Sequence, residues 1–303
     1  EGNPPGLRGS VETLDKDAFL TRDGRVYVVF TNYNPYGYRF AYLKYVFTGE
    51  GLWKGYERVL KRYGVKNVLN LAQEFSYEPC FGVTFPVVKL SEVAAHFRPI
   101  EATRRLLEGG LLPSTAYELL EEVGTDNVGI GGSYMLGISH SSSDIDLVVY
   151  GERRAFDFLE VFKGGAQDEE WIREASENYS IEANVIRSIY DVRVRGVYKG
   201  LKYSVSFVDP APLKPCNEVC RKLGPFEGEM EVESGEYSAL LYPARATVVR
   251  GVPDEVVSYE GVFSMALFKF KRLKLRGMLM ECNGRQVLVL GDREVLPRVE
   301  VLL

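Results

Sequence analysis

The sequence predicts an α+β protein in three parts. These are a β-rich N-terminal region (residues 1–95), a central unit of helices around a small mixed sheet (96–215), and a C-terminal small β-barrel, OB-like among the options (216–303). Three observations predict this. Aromatic and β-branched runs broken by turn signals fill the first part. Apolar spacing alternates between helical and strand periods in the second. Short strand-like runs separated by Gly, Pro and Asn-Gly mark the third.

In the first part, residues 25–30 (Arg-Val-Tyr-Val-Val-Phe) form a strand after the Asp23-Gly24 turn. Residues 38–46 return after Asn34-Pro35-Tyr36-Gly37, which predicts a hairpin. Helical spacing follows over 55–63. In the second part, Pro99 opens a helix whose apolar stripe is Ile100, Thr103, Leu106 and Leu107. Another helix carries Tyr117, Leu119, Leu120 and Val123 and stops at Gly124. A short strand over 127–130 runs into Gly131-Gly132-Ser133, and a β-branched strand covers 145–150. Helices over 153–163 and 168–188 precede a hairpin of 192–198 and 201–208 around Lys199-Gly200. A Pro-rich linker, 209–215, leads to the third part, with strand-like runs at 246–249, 273–280 and 286–290 and a clear hairpin turn at Asn283-Gly284.

The charge balance is mild, with a net −5 and 26% charged residues, which argues against a wholesale polyanion binder. No apolar run approaches the ~18–20 residues a bilayer span requires, and residues 1–10 lack the order of a signal peptide. A cytoplasmic protein with no membrane partner is expected. Heavy use of Val, Glu, Arg and Tyr points toward a thermophile. Cys80, Cys216, Cys220 and Cys282 are read as free thiols, with a Cys216–Cys220 disulfide as the alternative; their spacing gives poor support for zinc.

One passage carries chemistry. On a strand, residues i and i+2 share a face, so Asp144 and Asp146 project side by side while Ile145 and Leu147 point into the core. Paired carboxylates repel unless a hard cation lies between them. Upstream, Gly131-Gly132-Ser133 ends a strand and offers backbone N–H groups and a hydroxyl to an anion. Ile130-Gly131-Gly132-Ser133, the polar run Ser141-Ser142-Ser143 and Asp144-Ile145-Asp146-Leu147 together resemble the nucleotidyltransferase pattern of the DNA polymerase β superfamily. The wider layout, with His96-Phe97-Arg98-Pro99 and the Asn34-Pro35 turn, resembles a group of uncharacterised archaeal proteins carrying a C-terminal β-barrel.

The resemblance implies a polymerase β-like central domain and transfer of a nucleoside monophosphate from an NTP to a hydroxyl. Asp144 and Asp146 would hold Mg²⁺ or Mn²⁺, and Gly131, Gly132 and Ser133 would hold phosphates. It also implies a third carboxylate on the strand over 201–208, but Ser204 and Ser206 occupy the expected face. Asp209 takes that role if a bulge corrects its parity, and Asp191 is the other candidate. His140, Ser143 and Lys202 are further candidates for nucleotide contact, as is Lys199; Arg98, Arg104 and Arg105 are weighed against plain solvent-facing roles. Without a third carboxylate, a catalytically inactive module that binds nucleotide or RNA is the competing reading.

Residues 269–276 alternate basic and apolar side chains, and 243–303 holds 10 Lys+Arg against 7 Asp+Glu. A barrel with such a stripe suits single-stranded nucleic acid; a solvated edge strand has the same signature.

Overall fold

The computed structural model describes residues 12–214 and 216–303. The N-terminal stretch read above for a leader lies outside the described residues, as does Pro215 of the linker. The architecture is α+β with three sheets. No helix among the described residues is long and apolar enough to cross a membrane.

The first sheet holds β1 (Ala18–Thr21), β2 (Arg25–Val29), β3 (Tyr38–Gly51), β4 (Gly55–Arg58), β5 (Glu74–Glu78), β6 (Val83–Lys89) and β7 (Val93–Phe97), ordered β5-β6-β3-β2-β1-β7 with β4 on β3. The expected hairpin of 25–30 with 38–46 is present as β2 against β3. The helix expected over 55–63 is not. Lys54 and Gly55 both take positive φ, which turns the chain back, and Tyr56 then packs edge-on against Phe47 across the β3–β4 pair. A single helical turn, α1 (Val65–Val68), follows instead.

The central unit comprises α2 (Pro99–Glu108), α3 (Ser114–Val123), β8 (Val128–Gly131), α4 (Gly132–Met135), β9 (Ile145–Tyr150), α5 (Glu152–Val161), α6 (Glu169–Tyr179), α7 (Ala183–Ile189), β10 (Arg195–Tyr198) and β11 (Leu201–Val208). Its sheet runs β10-β11-β9-β8 and is mixed, with β9 and β11 parallel. Pro99 sits in the first turn of α2, where its missing N–H costs nothing. The α2 stripe is rotated from the expected one: Pro99, Ala102, Thr103 and Leu106 are buried and Ile100 is exposed. The long helix expected over 168–188 is two helices, because Ser180 is left-handed and ends α6. Helices α2, α3 and α5 cover one face of the sheet, burying Leu106, Leu119 and Phe158 against Ile130, Ile145, Leu147 and Val205. At roughly 25 cal/mol per Å² of apolar surface, this one-sided core is what fixes the strand parity of β9.

The third sheet holds β12 (Cys220–Val232), β13 (Ala244–Arg250), β14 (Glu255–Ser258), β15 (Arg272–Cys282), β16 (Arg285–Leu290) and β17 (Arg298–Val301); α8 (Ser264–Lys269) precedes β15. The Asn283-Gly284 turn joins β15 to β16 with both residues at positive φ. Strand β12 pairs with both β13 and β15, so the ladder returns on itself and the sheet curls. The segments share a core: Val28, Phe40 and Phe85 of the first sheet pack with Val257, Met278 and Val289 of the third. The linker is strapped down too, since Asn32 Nδ2 donates to the carbonyls of Asp209 (2.8 Å) and Ala211 (3.0 Å).

The cysteines correct the free-thiol expectation and its Cys216–Cys220 alternative. Cys80 pairs with Cys216 and Cys220 with Cys282, leaving none free. The reason is tertiary: the β12–β15 register sets Cys220 opposite Cys282, and the Cys220 N–H donates to Pro79 O, bringing the Cys80 turn alongside. Glu218 stands near Cys220 and Cys282, but their sulfurs are tied up in that disulfide.

Glu260 stitches α1 to the third segment, with its Oε1 accepting from the Val65 N–H at 2.9 Å. Burial pushes its carboxyl up to about 7 from an ordinary 4.5, against the opposing pull of that N–H. A raised folded value means stability is full below pH 4.5 and drains as pH rises through 7, by roughly 3 kcal/mol in all. Glu260→Gln therefore melts several degrees above the parent protein at pH 8.5 and not at pH 4. Parallel melting curves for both proteins across that range would contradict this assignment.

Candidate active site

Strand β8 delivers Gly131 directly opposite Asp146 of β9. The next residue, Gly132, is left-handed (φ +62°), and a Cβ there would stand 2.0 Å from Asp146 Oδ2. Glycine is thus required at 132 twice, by the backbone and by the carboxylate lying over it. Ser133 follows, buried at 6% exposure, with its carbonyl accepting from the Ile138 N–H at 3.0 Å.

Asp146 is half-buried on β9, and Asp144 sits exposed just before the strand. Ile145, Leu147 and Val149 alternate into the core, so the aspartates face away from it. Both line one cavity together with Gly131, Gly132, Ser133, His140 and Ser143. Burial, and then the charge of Asp146, raise the Asp144 carboxyl above its ordinary range, while Lys202 and Arg195 pull it back. Two carboxylates on one cavity wall offer the oxygen donors that a hard cation takes, so the donor set fits magnesium or manganese.

The loop before Asp144 is internally braced. The His140 N–H donates to Ser143 Oγ (2.9 Å), and His140 Nδ1 accepts from the Ser142 N–H (3.1 Å), which places the imidazole proton on Nε2. The imidazole packs edge-on against Trp53 at 5.0 Å. Ser143 therefore shapes the loop, and His140 presents Nε2 at the cavity wall.

The expected third carboxylate position is occupied by serine. Ser204 lies beside Asp146 in the parallel register, and its Oγ donates to Asp146 Oδ1 at 2.5 Å. Asp209 is not brought to the site. No bulge corrects its parity; it follows the strand end and takes a 3.5 Å hydrogen bond from Tyr237. Asp191 does reach the cavity wall, but Arg193 clasps it through two nitrogens (2.7–3.3 Å) and Lys269 stands at 3.5 Å. Burial alone would raise its carboxyl; those contacts hold it below its ordinary range.

Lys202 is drawn away by Glu170 (2.9 Å) and Asp168 (3.7 Å), and Lys199 by Glu118 (2.9 Å). Arg98 pairs with Glu101 and Arg104 with Glu108, while Arg105 donates to Met135 O at 2.6 Å, tying α2 to the end of α4. The basic row loses its force as a polyanion surface. Arg272, Lys274 and Arg276 of β15 lie opposite Glu231, Glu229 and Glu227 of β12, and Lys269 is in α8.

The cavity, about 840 Å³, also has walls that the sequence did not single out. From the first segment come Tyr42, Lys44, Tyr45 and Arg58 of its sheet, Lys16 of the turn before β1, and Tyr63 of the loop after β4. A register shift in the β2–β3 pair skips Lys44, so the consecutive residues Lys44 and Tyr45 both reach the cavity. Arg58 lies opposite Tyr45 on β4, and its guanidinium stands 5.1 Å over the Tyr63 ring. Burial would raise the Tyr63 phenol, but Lys44 and Arg58 bring it below its ordinary value. Across the cavity, Arg195 stacks over Trp171 at 4.8 Å. The arrangement sets a carboxylate pair against cations and aromatic rings, in a volume within the usual range for small-molecule ligands.

Comparison of the chain with protein families, with curated proteins and with solved structures finds no match.

Proposed function

We propose that this chain is a metal-dependent nucleotidyltransferase, moving a nucleoside monophosphate from an NTP to a hydroxyl acceptor with release of pyrophosphate. The observation that carries the reading is the seating of Asp146 over Gly132, with Asp144 and Ser133 on the same cavity. The mixed four-stranded sheet with α2, α3 and α5 on one face supports a polymerase β-like central domain. Asp144 and Asp146 would hold Mg²⁺ or Mn²⁺, which when bound neutralises phosphate charge and polarises the reacting phosphoryl group. The backbone of Gly132 and Ser133 would orient a phosphate, and the aromatic walls would exclude water. A cytoplasmic setting belongs to the proposal, and two disulfides fit it in hyperthermophiles, whose intracellular proteins keep such bonds. The neutralised basic row removes the main argument for a nucleic-acid acceptor through the C-terminal segment.

A second reading is favoured by one observation: Ser204 stands where a third carboxylate is expected. It makes the chain a module that binds nucleotide without turning it over. Incubating the protein with each labelled NTP, Mg²⁺ or Mn²⁺, and pooled cellular RNA and protein separates the two. Label transferred to an acceptor supports the enzyme. Nucleotide bound but never transferred, with all four bases, supports the module.

A further inference from the structure

We infer that the first sheet supplies the subsite for the polyphosphate chain of a nucleotide, built from Lys44 and Arg58 with Lys16 and the Tyr63 hydroxyl. The central observation is Lys44. It is 93% buried by its 7% exposure, lines the cavity, and among the described residues forms no ion pair. Its ammonium is left with the Tyr63 hydroxyl and the faces of Tyr45 and Tyr63, at 5.5 and 5.7 Å. A buried ammonium with no carboxylate in ion-pair contact is costly, and the nearest charge opposing it is that of Asp146 across the cavity, so an anion entering between them would meet an unpaired cation.

Arg58 repeats the pattern. Its Nε donates to Leu60 O at 2.6 Å, its face covers Tyr63, and no carboxylate pairs with it among the described residues. Lys16, at positive φ, faces the same space and likewise lacks an ion pair. These three cations come from two strands and a preceding turn onto one cavity; Lys222 lines it too but is satisfied by Asp292 and Glu294, while Lys199 and Lys202 lie off it on carboxylates of their own. A fork of guanidinium donors beside an ammonium matches successive phosphates along a chain. The register shift that turns Lys44 inward is the local device that builds the subsite.

As a phosphate subsite of the transferase, this inference rests on the reading of Asp144 and Asp146 given above. Binding of the bare anion does not, which makes the two separable. The test is calorimetric titration of the full chain with inorganic tripolyphosphate in the absence of divalent cations. The parent protein binds it with an affinity that falls steeply with salt. Lys44→Met and Arg58→Met each weaken binding at least about tenfold, whereas Asp144→Asn/Asp146→Asn leaves it intact or tightens it. Arg58 is only half-buried, so its variant keeps the test open if Lys44→Met fails to fold. Absence of tripolyphosphate binding by the parent protein, or equal binding by Arg58→Met, overturns the inference. Anion binding as described, without nucleotide turnover under any metal, would sink the transferase and leave the subsite standing.

Discussion

Asp146→Asn lowers label transfer from NTP by at least about a thousandfold while leaving the melting temperature within a few degrees of the parent protein. The size follows from the role. A metal's stabilisation of phosphoryl charge amounts to several kcal/mol, and each 1.36 kcal/mol is a factor of ten in rate. The small stability change follows from the environment. Asp146 is half-buried, and an amide oxygen still accepts the Ser204 hydroxyl bond made at 2.5 Å. A measured rate within tenfold of the parent protein would remove Asp146 from the metal site. The companion substitution Asp144→Asn acts in the same direction, and it also removes a carboxylate that burial first and the charge of Asp146 second disfavour.

Gly132→Ala costs several kcal/mol of stability or, where the fold survives, most of the activity. Two penalties coincide. The left-handed conformation at φ +62° costs an alanine roughly 1–2 kcal/mol. The new methyl would also lie 2.0 Å from Asp146 Oδ2, so the carboxylate must move or the turn must open. Neighbouring Gly131 is the control. A Cβ there meets nothing closer than 3.6 Å and its φ is ordinary, so Gly131→Ala is tolerated with near-parental melting. Equal effects from the two alanines, read by thermal melting and by transfer rate, would contradict the close seating of Asp146.

What was legible in the sequence was local. Ile145-Asp146-Leu147 alternate as a one-sided strand must, and the turns at Lys199-Gly200 and Asn283-Gly284 take the positive φ values their residues suggest. Pro99 and Gly124 bracket their helices as read. Strand β12 escaped notice because Gly224, Pro225 and Gly228 interrupt it and its outward side chains are Lys and Glu; its pairing with β15 along nearly its whole length holds it. That same strand carries the acids that neutralise the basic row, so a charge count starting at residue 243 missed them. The cysteine pairing needed the β12–β15 register, which spacing along the chain does not contain.

The far wall of the site was hidden for a related reason. Lys44 sits within an aromatic strand, Tyr-Arg-Phe-Ala-Tyr-Leu-Lys-Tyr, where a lone lysine reads as an edge-strand charge. Only the shifted register and the return of β4 bring it, with Arg58, toward Asp146. A lysine between Leu43 and Tyr45, with Tyr42 one residue further, in a mostly apolar run was the available signal. By contrast, strand parity alone set Ser204 on the face where the resemblance implies a third carboxylate, and Ser204 does lie beside Asp146.

The most direct measurement of the central claim is a Mn²⁺ titration in the presence of each NTP, following free ion by electron paramagnetic resonance. The account predicts a tightly held Mn²⁺ in the parent protein that Asp144→Asn/Asp146→Asn loses, with NTP binding weakened alongside. Identical Mn²⁺ retention by the two proteins would contradict it and remove the aspartate pair from the chemistry.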